Sequence, residues 1–157
     1  MDGREQSPES SATFSAHVDK SAWTIHSVSS NQGGNEDVKF CIDDDPNTFW
    51  HTKYNPTDKC PHELIVDMKK TYTVKQFVYQ ARNDMPNGHI ANVEVLFSND
   101  PNQWGEPAVK CRLQNHSNEQ LVDVPSHPSA RYMKVVVRST HDRNDYATAA
   151  EVGIIPQ

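Results

Sequence analysis

Ala91, Val93, Val95 and Phe97 alternate with Asn92 and Glu94, and a period of two suits only an extended strand with one face buried. Arg131 to Val137 repeats the pattern, with Met133, Val135 and Val137 inward and Lys134 outward. Around them stand the apolar run Leu64-Ile65-Val66-Asp67-Met68, a longer run of β formers from Thr73 to Arg82, and shorter candidates at 108–113, 119–124 and 148–155. Turn chemistry separates these runs at Asn83-Asp84-Met85-Pro86-Asn87-Gly88, Ser98-Asn99-Asp100-Pro101-Asn102 and Pro125-Ser126-His127-Pro128. No segment longer than a turn or two carries a helical period. A length of 157 residues gives room for one core, so the pattern predicts an all-β fold over 21–157, an antiparallel jelly-roll β-sandwich. Residues 1–20 are polar, Ser-rich and aperiodic, and read as a flexible tail or linker.

Charge narrows the partners. A formal net charge of −6 gives no attraction to phosphate backbones or anionic lipid, which sets nucleic acid aside. No apolar run approaches the roughly 20 residues of a membrane span, so no membrane insertion is expected, and the N-terminus lacks the charged-then-apolar pattern of a secretory leader. Cys41, Cys60 and Cys111 cannot all pair within one chain, and no Cys-x-x-Cys spacing occurs. They read as free thiols, with one bridge left open if the protein is exported.

The densest chemistry lies in Asp43-Asp44-Asp45-Pro46-Asn47-Thr48-Phe49-Trp50-His51. Adjacent carboxylates repel, and placing them just ahead of residues that want burial is costly unless a cation sits among the oxygens. Ca²⁺, a hard cation that takes oxygen ligands, suits them. EF-hand spacing is not met, because counting Asp43 as position one places Tyr54 where a bidentate Glu belongs. Any further ligand must come from elsewhere, and Glu151, in Ala149-Ala150-Glu151-Val152, is the candidate. An acidic surface turn is the competing reading.

Six stretches, in order, carry a resemblance: Ile42 to Trp50, Leu64 to Met68, Tyr79-Gln80-Ala81-Arg82, Ser98-Asn99-Asp100 with Trp104, Ala130 to Lys134, and Ala149 to Val152. Together they resemble the coagulation factor 5/8 type C, or discoidin, domains over roughly residues 22–155. Within that family Trp50-His51-Thr52, and Arg82 with Asn87, make the chain most similar to family 32 carbohydrate-binding modules, the N-terminal domain of galactose oxidase included. The resemblance implies an eight-stranded jelly roll with a structural Ca²⁺ held by the Phe40 carbonyl, Asp43, Asp45, Thr48, the Ala150 carbonyl and Glu151. Asp44 stands where the family usually has Gly, which implies a differently bent loop.

The resemblance also implies a sugar site built from His51, Arg82, Asn87 and Tyr146, with Glu36 nearby. Imidazole and guanidinium suit an axial hydroxyl, the amide its neighbour, and the aromatic face the sugar's C–H patch. Trp23, Trp50 and Trp104 are assigned to packing. A glycosidase is disfavoured, since it needs two carboxylates facing each other across about 5–9.5 Å, and no Gly-x-Ser-x-Gly, His-Glu-x-x-His or P-loop is present. The function implied is a non-catalytic module, a monomer tethered to an enzyme or scaffold, that binds glycans ending in galactose or N-acetylgalactosamine. Its implied location is extracellular, cell-surface or periplasmic. The alternative is a discoidin-type adhesion module for protein or phospholipid.

Overall fold

Lys69 and Lys70 look like a break between two strands, yet the backbone runs through them as one strand of 19 residues, His62–Gln80. In the computed structural model, which describes residues 17–157, this strand organises the rest. In chain order the elements are β1 (Thr24–Val28), a short 3-10 helix (Val38–Ile42), β2 (Trp50–His51), β3 (His62–Gln80), β4 (Asn92–Ser98), β5 (Val109–Arg112), β6 (Gln120–Asp123), β7 (Ser129–Val137), β8 (Thr148–Ala149) and β9 (Glu151–Pro156). Every pairing between these strands is antiparallel.

The first part of β3 lies between β1 (Thr24 opposite Asp67) and β7 (Leu64 opposite Val135). β4 and β5 continue that sheet beyond β7. The second part lies between β6 (Phe77 opposite Val122) and β9 (Phe77 opposite Ile154). The change of sheet comes with a register shift between Asp67 and Tyr72 and a left-handed Lys69 at φ 71°. A non-glycine residue there is strained, and the Lys69 N–H donating to Asp67 Oδ1 at 2.8 Å offsets part of that cost.

Leu64, Val66, Val93, Val95, Met133, Val135 and Val137 from one sheet and Phe77, Tyr79, Val152 and Ile154 from the other share one apolar cluster. The result is the expected sandwich. Burying each such side chain contributes about 1.5–3 kcal/mol. Alternation holds at Val93 and Val95, but Leu96 and Val136 are buried on the opposite face as well. Nine strands are present among the described residues rather than eight, because the last run is divided at Ala150, whose N–H leaves the β8 ladder to donate to the Gln80 carbonyl at 2.8 Å. All three cysteines are free thiols.

The domain begins earlier than residue 21. Val18 packs against the core, and Lys20 is 7% exposed, because its ammonium finds acceptors on the last strand. Residues 1–16 of the expected tail lie outside the described residues.

Asp67, nearly buried, takes both Nε (2.9 Å) and Nη2 (3.0 Å) of Arg131, tying β3 to β7. These bonds hold its carboxyl down at about 2. A carboxyl lowered in the folded state stabilises above its unfolded pKa of about 3.9, and that stability is lost as pH falls through the folded value. Asp67→Asn is expected to cost about 1–2 kcal/mol at pH 7 in urea unfolding, with the gap to wild type closing between about pH 4 and pH 2. A gap that persists unchanged at pH 2 contradicts this role.

Candidate functional site

β2 is only two residues long, but its pairing with β8 places His51 opposite Thr148, just beyond the loop that carries Tyr146. Trp50, fully buried, anchors the pair by donating Nε1–H to the Ser30 carbonyl at 3.1 Å. The His51 N–H donates to the Glu36 carbonyl at 3.0 Å, which draws the Gly33-Gly34 turn to the same end of the sandwich. His51 Nδ1 lies 2.7 Å from the Thr52 carbonyl oxygen. A carbonyl only accepts, so Nδ1 carries the proton in the neutral ring and Nε2 is left as an acceptor. Burial lowers the imidazole pKa and the Arg82 charge adds to this, against the opposing Thr52 carbonyl, Glu36 and Asp142. His51 is therefore neutral at pH 7.

Tyr54 and Tyr146 flank the imidazole, with ring centroids at 4.5 Å and 5.2 Å. The Tyr54 hydroxyl donates to Glu36 Oε1 at 2.6 Å. The Tyr146 hydroxyl accepts from Asn144 Nδ2 at 2.9 Å and from Asn87 Nδ2 at 3.4 Å. Asn87 is held by its carbonyl, which accepts from Thr148 Oγ1 at 2.8 Å. Gly88 follows at φ 71°, where an added Cβ would lie 3.0 Å from Thr148 Cγ2, so only glycine closes this turn without strain.

Arg82 follows the end of β3. Its guanidinium carbon sits 3.9 Å from the Phe49 ring centroid. Its Nε and Nη2 donate to Asp84 Oδ1 (2.7 Å) and Oδ2 (2.9 Å). Those bonds hold the Asp84 carboxyl below the usual range. Among the described residues Nη1 has no hydrogen-bond partner. His51, Asn87, Tyr146 and Glu36 thus form one connected group, and Arg82 is close enough for its charge to bear on His51 and Tyr54. Sequence reasoning missed Tyr54, Phe49, Asp84 and Asn144. Each is an aromatic or amide or carboxylate within three positions of a chosen residue, which was the available signal.

The acidic loop is a separate place. Asp43 Oδ2 accepts from Thr48 Oγ1 at 2.5 Å, and Oδ1 accepts the Asp45 N–H at 3.0 Å. Asp45 differs from the expectation: its carboxylate caps the Asn47 N–H at 2.9 Å, and it is its carbonyl, 3.2 Å from Thr48 Oγ1, that faces the cluster. Asp44 takes φ 61°, a left-handed conformation that favours glycine. Phe40, in the 3-10 helix, and Ala150, beside Glu151, lie in two segments packed against each other.

Glu151 is 7% exposed. Its Oε1 accepts from Lys20 Nζ and from the Asp44 N–H, while Oε2 is buried without a partner. Burial pushes its carboxyl up to about 8, Lys20 opposes this, and Asp43 adds to it. Among the described residues no three His, Cys, Asp or Glu side chains converge on one point. The Asp43 carboxylate, bonded to the Thr48 hydroxyl, also bears on the Glu151 carboxyl.

Residues 24–152 match the family model of the F5/8 type C domain. The chain belongs to this family. In sequence it is similar to a sialidase of Micromonospora viridifaciens, 28% identical over 96% of this chain and 24% of the relative. It is also similar to galactose oxidase of Gibberella zeae, 31% identical over 92% of this chain and 21% of the relative. The chain therefore spans under a quarter of the length of these curated relatives. Among solved structures it is similar to CpGH89CBM32-5 of Clostridium perfringens, solved with GalNAc-β-1,3-galactose, at TM-score 0.80 and 25% identity, covering 88% of this chain and 99% of that one. The family 32 module of NanJ from the same organism, solved with galactose, superposes at TM-score 0.78 with 24% identity over 88% of this chain and 96% of that one.

Lys20 was not foreseen as part of an F5/8 type C core. It also donates to the Val152 carbonyl at 2.9 Å and lies 3.4 Å from Asp44. Removing Lys20 takes away the cation that opposes the upward push on the buried Glu151 carboxyl and leaves Glu151 Oε1 and the Val152 carbonyl without that donor. Lys20→Met is expected to lower the melting temperature strongly, and adding Glu151→Gln to recover part of the loss in a double-mutant cycle. Strictly additive losses would show that the two side chains do not act together.

Proposed function

We propose that this domain is a non-catalytic carbohydrate-binding module for terminal galactose-type sugars, galactose or N-acetylgalactosamine, that directs an attached enzyme or scaffold to glycans outside the cell. The observation that carries the reading is the polar and aromatic group at one end of the sandwich. There His51 Nε2 is an acceptor, Arg82 Nη1 a donor, the Asn87 amide a donor and acceptor, and Tyr146 and Tyr54 offer apolar faces. A hydroxyl both donates and accepts, so an imidazole acceptor beside a guanidinium donor suits a single axial hydroxyl. The galactose and GalNAc-galactose complexes of the Clostridium perfringens modules support it, as does the match to a small part of two larger enzymes. The adhesion alternative is weaker on a specific count. Among the described residues Met85 is the single exposed large hydrophobic side chain, and phospholipid-binding loops need several beside basic residues.

A monosaccharide in an open site is expected to bind with a Kd of about 0.1–1 mM, which suits a module tethered to a larger protein. Titration calorimetry should show galactose bound and glucose not, with Arg82→Ala abolishing the heat. Equal binding of both sugars contradicts the assignment. Affinity should also hold from pH 8 down to the ordinary histidine range near about 6.5 and fall only below it, since imidazolium cannot accept and burial lowers the His51 pKa. Affinity that rises on acidification rules out His51 as an acceptor.

We further propose a structural Ca²⁺ at Asp43, Thr48 and Glu151 with the carbonyls of Phe40, Asp45 and Ala150, apart from the sugar contacts. The residues fit a cation: the unpartnered Glu151 Oε2 and the mutual repulsion of Glu151 and Asp43 both call for positive charge beyond that of Lys20. Calcium would supply it and join the start of the fold to its last strand. A ligand bound only by the native state adds about 2.7 kcal/mol at a hundredfold excess over Kd. EDTA is expected to lower the melting temperature, and Glu151→Gln to remove the effect of chelator. A melting temperature indifferent to EDTA in metal-loaded protein refutes the site.

A further inference from the structure

Arg82 is the cation of the candidate sugar site, but its charge is already spent within the protein. The Asp84 carboxylate takes the Nε and Nη2 donors in a forked pair at 2.7 Å and 2.9 Å. Phe49 covers the guanidinium face at 3.9 Å. The guanidinium plane is thereby fixed, and the donors left to a ligand are the two at Nη1 and the second hydrogen of Nη2. The loop that carries Asp84 is held on both sides. Asn83 Nδ2 donates to Asn47 Oδ1 at 3.0 Å, and the Gly88 N–H donates to Asp142 Oδ2 at 3.0 Å. The Asp84 carboxylate therefore faces solvent in a set position, with its side chain 51% exposed.

Apart from Arg82, the charges that bear on the imidazole are acidic. Those that bear on His51 are Glu36, Asp142 and Arg82, and His51 itself is neutral. With Arg82 offset by Asp84, the net charge facing a ligand is negative. Lys53 and Arg143, on the flanking loops, are exposed, and among the described residues their side chains make no hydrogen bond or ion pair with this group. A carboxylate or sulfate on the sugar would meet Asp84, Glu36 and Asp142 around an Arg82 whose charge is already offset, while the exposed Lys53 and Arg143 on the flanking loops act only through solvent and salt.

We propose that Asp84 is a specificity-determining residue: by neutralising Arg82 and orienting its remaining donors, it restricts the site to uncharged terminal galactosides and rejects sugars that carry an anionic substituent. This rests on the galactose-type reading of the site. It adds the substrate class, glycans whose terminal galactose bears no acid group.

Sterics and charge are separated by an isosteric pair of ligands, galacturonamide and galacturonate, which differ at one atom and in charge. Calorimetry at low ionic strength with methyl galactoside, galacturonamide and galacturonate is the test, on wild type and on Asp84→Asn. Wild type is expected to bind the amide like the galactoside and the acid about five- to tenfold more weakly, a gap that shrinks as salt is raised. Asp84→Asn is expected to narrow the amide-to-acid ratio severalfold, whatever it does to the affinity for the neutral sugar. A merely structural Asp84 would weaken all three ligands alike and leave the ratio unmoved. Equal binding of acid and amide by wild type, or an unchanged ratio in the variant, overturns the proposal and leaves the galactose reading standing. Failure of all three ligands to bind wild type overturns the galactose reading, and this inference with it.

Discussion

One backbone ladder carries the whole domain. β3 gives its first half to the sheet of β1, β7, β4 and β5 and its second half to β6 and β9, so the two layers are covalently one strand. The constraint is geometric. A strand can change sheets only where its ladder is interrupted, and the interruption sits at the left-handed Lys69, steadied by Asp67. Because β3 ends at Gln80, it delivers Arg82 to the end of the sandwich where β2 and β8 meet. The sugar-site candidates are consequences of that ladder rather than of any local motif.

The acidic loop and the sugar-site candidates are neighbours in sequence but face different tasks. Asp43 holds Thr48 and bears on Glu151, the first residue of β9, which stands between Lys20 and the Asp44 N–H. Phe49, the next residue after Thr48, instead lies against Arg82. Asn47 reaches the same loop through Asn83. A segment of seven residues thus ties the proposed ion site to the proposed sugar site through side-chain packing. A rigid acidic loop would keep Arg82 in place without touching a ligand.

Much of the architecture was legible because a period of two admits one structure. Val93 with Val95 and Met133 with Val135 pointed to the core as expected. The continuity of β3 was not legible, since Lys69 and Lys70 are polar and their place in a bend depends on two sheets that no local window contains. Lys20 was hidden for a similar reason. Its neighbours are polar and aperiodic, and its burial depends on acceptors more than 130 positions away. At the site, the residue types His51, Arg82, Asn87 and Tyr146 were readable through family resemblance. The Arg82 to Asp84 pairing, which sets the charge, follows from the path of a turn and was not.

The central claim is that a galactose-type sugar sits against His51 and Arg82. The most direct test is an NMR titration of ¹⁵N-labelled protein with galactose, following the histidine ring nitrogens and the backbone amides together. The account predicts that His51 starts with a protonated Nδ1 and an unprotonated Nε2, that Nε2 shifts on binding, and that amide shifts gather near Glu36, Tyr54, Asn87 and Tyr146. Shifts centred on the Ser98 to Gly105 turn at the opposite end of β4, or an Nε2 signal unmoved at saturating sugar, would contradict it.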